Sequence, residues 1–89
     1  MKTYRYTVKG RVQGVAFRYY TVKNATKYHI SGTVQNLYNG DVEVHAQGNE
    51  ENLRQFEGFL HSGPPAGRVE AVVKEELSSS DFYTGFEIV

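Results

Sequence analysis

The sequence contains no cysteine, which excludes disulfide bonds, thiolate nucleophiles and cysteine-ligated metals. The histidines His29, His45 and His61 fall on three different predicted elements and form no pair with metal-ligand spacing, so no metal site is expected. No G-x-S-x-G motif supports a serine nucleophile either. The absence of cysteine also fits a reducing compartment.

Net charge and long apolar runs are absent as well. Ten basic residues balance ten acidic ones, so no overall field would attract a polyanion such as nucleic acid, and any anion site must be local. No apolar run is long enough to span a membrane, and Met1 to Tyr6 lacks the apolar stretch of a signal peptide. We therefore expect a cytoplasmic protein with no membrane or nucleic-acid partner.

The 89 residues, which include five Phe and seven Tyr, predict a single domain over residues 1–89. Two-residue alternation predicts strands, helical spacing predicts two helices, and the run at 78–80 predicts a turn. The strands are expected at 3–9, 30–37, 41–47, 69–77 and 86–89, and the helices at 16–28 and 49–63. This order predicts an α+β, ferredoxin-like βαββαβ sandwich: an antiparallel sheet, two helices on one face and a short C-terminal strand.

The loop from Gly10 to Arg18 joins the first strand to the first helix. Its two glycines permit a sharp turn, and the first amides of the helix have no intrahelical partners, so together they predict a phosphate-sized anion site. The guanidinium of Arg18 has the fork needed to bind two phosphate oxygens. A plain connection with a surface arginine is the alternative, although an arginine is unfavourable at the N-terminus of a helix without an anion.

Asn36 ends the second strand, just before a predicted Asn-Gly hairpin turn at 38–41. Its amide cannot act as a base at neutral pH, but it can orient a water molecule. The alternative is a turn asparagine that bonds to its own backbone. Position in the sequence alone favours the turn asparagine, and only the motif spacing described next reverses that preference.

These two segments resemble the signatures of the acylphosphatase family. Gly10 to Arg18 matches the pattern G-x-V-Q-G-V-x-F-R at every fixed position. Gly32 to Gly48 matches the second signature, with Asn36 at the expected spacing. Thr33 departs from that pattern, since an aromatic residue is usual there, and Val89 stands where an aromatic residue is common.

The resemblance implies an enzyme that hydrolyses acyl phosphates to a carboxylate and inorganic phosphate, with no metal or cofactor, and we expect it to be a monomer. It implies that Arg18 binds the phosphate and that Asn36 positions the attacking water. The phosphate would be cradled by the backbone amides of Gln13, Gly14, Val15, Ala16, Phe17 and Arg18. The expected partners are a small-molecule acyl phosphate and inorganic phosphate.

Two other functions fit parts of the sequence. RNA-recognition motifs share this architecture, but the strand at 41–47 would expose Asp41 and Glu43, which repel phosphate. A non-catalytic module that binds anions or acyl phosphates is the second alternative. The short chain leaves no room for other domains, which favours a free-standing enzyme, and the presence of both Arg18 and Asn36 gives no sign of a degenerate site.

Overall fold

The computed structural model describes residues 1–78 and 82–89. The elements, in chain order, are β1 (Lys2–Arg11), α1 (Phe17–Lys27), β2 (Ser31–Asn36), β3 (Val42–Gly48), α2 (Glu50–Ser62), β4 (Arg68–Glu76) and β5 (Phe86–Ile88). The predicted ferredoxin-like order is confirmed. The turn predicted at 78–80 lies largely outside the described residues.

The strands form one sheet in the order β4-β1-β3-β2-β5. The first four strands are antiparallel to their neighbours, as predicted, but β5 pairs parallel to β2, with Val34 opposite Ile88. The sheet is therefore mixed rather than wholly antiparallel. The cause is geometric: β4 ends and β5 begins at the same end of the sheet, so β5 must run in the direction of β2.

Both helices bury the apolar side that their spacing predicts. The buried residues are Phe17, Thr21 and Ala25 in α1, and Leu53, Phe56 and Leu60 in α2. Helix α2 begins as predicted at Asn49, whose side chain accepts a hydrogen bond from the amide of Asn52 at 2.8 Å. Helix α1 packs on β2 and β5, whereas α2 packs on β3 and β4. Among the described residues, no helix is both long and apolar enough to cross a membrane.

Strand β1 extends further than the sequence predicts. Gly10 and Arg11 were expected in the loop, yet both pair with β4 beyond a shift of register between Lys9 and Gly10. Gly10 has a φ of 128°, and a Cβ there would lie 2.2 Å from the carbonyl oxygen of Arg68. Glycine at this bulge therefore lets β1 stay paired until just before the candidate phosphate loop.

Candidate active site

The loop between β1 and α1 has an unusual backbone. Gly14 and Ala16 both have left-handed conformations, with φ of 75° and 63°. The side chains of Val12 and Val15 are buried in the core and anchor the loop from below. Left-handed residues that alternate with ordinary ones curve a chain so that successive amides face one concave side, which is an anion-binding geometry. A left-handed alanine is strained, so the fold holds this shape against a local cost.

The amides of this segment are unpaired within the described chain. Backbone N–H groups of residues 14–19 donate no hydrogen bond to any described residue, and the first helical bond runs from Tyr20 N to Ala16 O at 3.1 Å. The first turn of α1 carries no acidic side chain. The positive end of the helix dipole is therefore left for an anion from outside the chain.

The side chain of Arg18 lies beside these amides, in the first turn of α1. It is exposed, and it forms no ion pair or hydrogen bond with the described part of the protein. Arg18 and Asn36 line the same open pocket of about 180 Å³. The pocket is lined by Val12, Gly14, Ala16, Phe17, Arg18, Tyr19, Asn36 and Ile88.

Asn36 is the last residue of β2, on the face of the sheet that carries Val34 and the helices. Its Oδ1 atom is buried and has no hydrogen-bond partner among the described residues. Leaving such an acceptor unpaired costs about 1–3 kcal/mol. Asn39, rather than Asn36, makes the expected turn contact, since its Oδ1 accepts the amide of Asp41 at 3.0 Å. The interpretation of Asn36 as a turn asparagine is therefore wrong.

The other residues predicted to bind phosphate divide into two groups. Gly14, Ala16 and Phe17 line the pocket with Arg18. The side chains of Gln13 and Val15 do not line it, because Gln13 donates to two carbonyls of the β2–β3 hairpin and Val15 points into the core. The sequence prediction assigned only backbone amides to these two residues.

Three residues of the pocket, Val12, Tyr19 and Ile88, are not among the predicted site residues. Tyr19 directly follows Arg18 and is 58% exposed. Its position outside the apolar stripe of α1 indicates that its side chain does not face the core, and this could have marked it as a site residue. Ile88 reaches the pocket only because β5 pairs with β2. That pairing is non-local, and no sequence pattern indicates it.

A second polar group, the α2 cluster, consists of Tyr4, Tyr6, Glu57 and Lys74. The Tyr6 hydroxyl donates to Glu57 Oε2 at 2.5 Å, and Lys74 Nζ lies 2.7 Å from the same oxygen. Lys74 also lies over the ring of Tyr4, 4.3 Å from its centroid. Burial, followed by the hydrogen bond to Glu57, raises the pKa of Tyr6 far above its usual range. These charges are all paired, which indicates a structural role.

Within residues 1–78 and 82–89, no three His, Asp or Glu side chains come together as a set that could hold a metal ion.

The predicted surface role of Arg11 agrees with its exposure, and Thr21 is a core residue whose hydroxyl donates to Phe17 O at 2.8 Å.

Comparison with known proteins points to one family. A family model described as Acylphosphatase matches residues 4–88. A protein named acylphosphatase from Vibrio parahaemolyticus is 45% identical over 89 residues, which cover 100% of this chain and 98% of that protein. The crystal structure of acylphosphatase from Bacillus subtilis has a TM-score of 0.96 and 38% identity, covering 100% of this chain and 99% of the other. The structure of an acylphosphatase from Coxiella burnetii has a TM-score of 0.92 and 36% identity, and the match covers 99% of this chain and 92% of the other.

Proposed function

The chain belongs to the acylphosphatase family and is a hydrolase that acts on acyl phosphates, and we propose that Arg18 and Asn36 carry the reaction. The substrate is a small molecule in which a carboxylate is joined to phosphate as an anhydride. The products are the free carboxylate and inorganic phosphate. The observation that carries this proposal is that Asn36, whose Oδ1 is buried without a partner, lines the same pocket as the unpaired guanidinium of Arg18.

Binding begins with the phosphate group in the loop between β1 and α1. The free amides of residues 14–19 supply fixed donors, and they are aligned before the substrate arrives. The amide of Gln13 is proposed to join them at the start of the loop. Arg18 adds a positive charge and two parallel donors, which suit two phosphate oxygens. Together these groups stabilise the charge that spreads over the equatorial oxygens during transfer.

Asn36 is proposed to orient the water that attacks phosphorus. The side-chain amide of Asn36 holds the water by a hydrogen bond, which turns a lone pair of the water oxygen towards the phosphate. A new bond forms from the water oxygen to phosphorus as the bond from phosphorus to the acyl oxygen breaks. The carboxylate leaves with the electron pair of that bond, and the proton lost by the water is taken up by a phosphate oxygen.

The side chains of the pocket support attack by water without a general base. No carboxylate or imidazole is among the described residues that line it. A carboxylate is a good leaving group, so no strong general acid is required either. Positioning and charge stabilisation are then the main contributions of the protein.

An isotope experiment tests this direct attack on phosphorus. Benzoyl phosphate is hydrolysed in water enriched in ¹⁸O with excess chelator present, and both products are analysed by mass spectrometry. The proposal predicts turnover that survives chelation, with one labelled oxygen in the phosphate and none in the benzoate. Label in the benzoate would mean attack at the carbonyl carbon. No turnover by the folded protein would favour the non-catalytic anion-binding module instead.

We also propose that the chain works as a monomer on small-molecule acyl phosphates in the cytoplasm, without nucleic acid or a membrane. The proposed catalytic pair, Arg18 and Asn36, lies within one chain, and ten basic residues balance ten acidic ones, so no overall field attracts nucleic acid. Light scattering at the concentration of the assay tests the monomer. A dimer that loses activity on dilution would contradict it.

A further inference from the structure

The side chain of Gln13 connects the two halves of the candidate site. Its Nε2 atom donates to Leu37 O at 2.7 Å and to Asp41 O at 2.9 Å. Leu37 directly follows Asn36, and Asp41 closes the hairpin that joins β2 to β3. One side chain of the phosphate loop is thus bonded to the chain immediately beyond Asn36.

These two hydrogen bonds are not needed to satisfy the hairpin. Leu37 O also accepts the amide of Gly40 at 3.2 Å, and Asp41 O also accepts the amide of Leu37 at 2.8 Å. Both carbonyls would therefore keep a partner if the Gln13 side chain were removed. Removing Gln13 would therefore leave no carbonyl unpaired, so little free energy would be lost in that way. The main effect of the two bonds is to fix the distance between the loop and the hairpin.

The orientation of the Gln13 amide is determined by its partners. Both neighbours are carbonyl oxygens, which accept but cannot donate, so the nitrogen must face them. Both hydrogens of that nitrogen are then used, in two directions. Such a two-point contact restricts sliding and rotation of the loop relative to the hairpin, which a single bond would allow.

We propose that Gln13 is a positioning residue, which holds Asn36 at the correct distance from the phosphate loop through the Leu37 and Asp41 carbonyls. This inference rests on the proposed function, in which Arg18 and the loop hold phosphate while Asn36 orients water. A displacement of about 1 Å between groups of this kind can lower a rate about a hundredfold. Gln13 acts on the reaction only through Asn36.

A double-mutant cycle tests this dependence. The kcat for benzoyl phosphate is measured in the wild type, Gln13→Met, Asn36→Ala and the double variant. Methionine keeps the length of the side chain but removes both donors. We expect Gln13→Met to lower kcat about ten- to a hundredfold, with inhibition by phosphate changed by less than about threefold. In the Asn36→Ala background, the same change should alter kcat by less than about twofold.

Lys9→Met is the matched control. Lys9 Nζ lies 2.8 Å from Asp41 Oδ2, so this variant receives the same new residue and loses a contact with the same hairpin residue. It does not disturb the phosphate loop, and its kcat should equal that of the wild type. An equal loss of kcat from Gln13→Met in both backgrounds would overturn the proposal. A matching loss of phosphate affinity would overturn it too.

Two further readouts keep the test decisive. If Gln13→Met does not fold, Gln13→Glu replaces it: the carboxylate has no donor at neutral pH and regains one on protonation. Its kcat relative to the wild type should then rise as the pH falls from about 7 to about 5, and a constant ratio would overturn the proposal.

The NMR signal of the Asn36 side-chain amide provides a readout that does not need turnover. It should shift in Gln13→Met and stay in place in Lys9→Met, whereas an unmoved signal in both variants would contradict the inference. An inactive wild type would contradict the proposed function, and this signal would still decide the role of Gln13.

Discussion

The candidate site and the α2 cluster treat their polar groups in opposite ways. In the α2 cluster, Glu57 accepts a hydrogen bond from Tyr6 and forms an ion pair with Lys74. In the site, Asn36 Oδ1 is buried without a partner, and Arg18 has none among the described residues. Paired groups stabilise the fold, whereas a buried unpaired group such as Asn36 Oδ1 lowers its stability, and both unpaired groups fit a ligand instead. Whether a polar side chain has a partner within the protein therefore distinguishes a structural role from a role in ligand binding.

The largest effect is expected from Arg18→Ala. Loss of one oriented donor costs about a hundred- to a thousandfold in rate, and loss of a charged, two-point contact should exceed that. The unfolding free energy should stay unchanged, because Arg18 has no described partner to lose. Steady-state kinetics with benzoyl phosphate and urea unfolding measure the two quantities. Lys23→Ala, which removes one exposed positive charge from the same helix, is the control for charge alone, and equal losses in both variants would refute a specific site.

Asn36→Ala should have the next largest effect. We expect kcat to fall about a hundredfold or more, since an oriented hydrogen-bond partner of the attacking water is lost, while inorganic phosphate still binds. Stability should be unchanged or up to about 1 kcal/mol higher, because a buried unpaired oxygen is removed. Kinetics, phosphate inhibition and urea unfolding provide the measurements, and Gln35→Ala, at the neighbouring exposed position, is the control. Equal losses in kcat and phosphate affinity would assign Asn36 to binding instead.

Tyr6→Phe should show the reverse pattern, with stability lowered and kcat unchanged. A hydrogen bond to a charged group contributes about 1.5–3 kcal/mol. The pKa of Tyr6 is raised on folding, so its contribution to the unfolding free energy is complete below the unfolded pKa of about 10 and is lost as the pH rises further.

Urea unfolding at about pH 7 and pH 11 measures this contribution. The difference between wild type and Tyr6→Phe should shrink at the higher pH. Tyr4→Phe is the control, since the hydroxyl of Tyr4 makes no hydrogen bond with a described residue. A difference that grows with pH would contradict the assignment.

The smallest effect concerns pH near neutrality. Because no general base is proposed, kcat should vary by less than about twofold between about pH 6 and pH 8. A pH series of kcat at saturating benzoyl phosphate tests this. A bell-shaped profile centred near neutral pH would implicate a histidine, and His29→Gln, His45→Gln and His61→Gln would then identify which one.

The fold could be predicted largely from local patterns. Alternation located the strands, and the cap at Asn49 and the stop at Gly63 located α2, because both signals depend on neighbouring residues only. The parallel pairing of β5 with β2 could not be predicted, since it depends on the route of the chain from one edge of the sheet to the other. The extension of β1 past Gly10 likewise depends on a contact with Arg68, far along the chain.

Only part of the candidate site could be predicted from the sequence. Arg18 and Asn36 were selected by motif spacing, and the structure brings them to one pocket. The left-handed conformation of Ala16 gave no signal, because alanine rarely adopts it. The bonds from Gln13 to the hairpin could not be foreseen either, as they join residues 24 and 28 positions apart.

A titration with inorganic phosphate, followed by ¹H–¹⁵N NMR on the wild type, tests the contrast between the two regions most directly. We predict that the largest shifts fall on the amides of residues 14–19, with a smaller shift of the Asn36 side-chain amide. The amides of Glu57 and Lys74 should stay in place. Shifts centred on the α2 cluster, or no saturable shift in the loop, would contradict the assignment of the unpaired groups to a phosphate site.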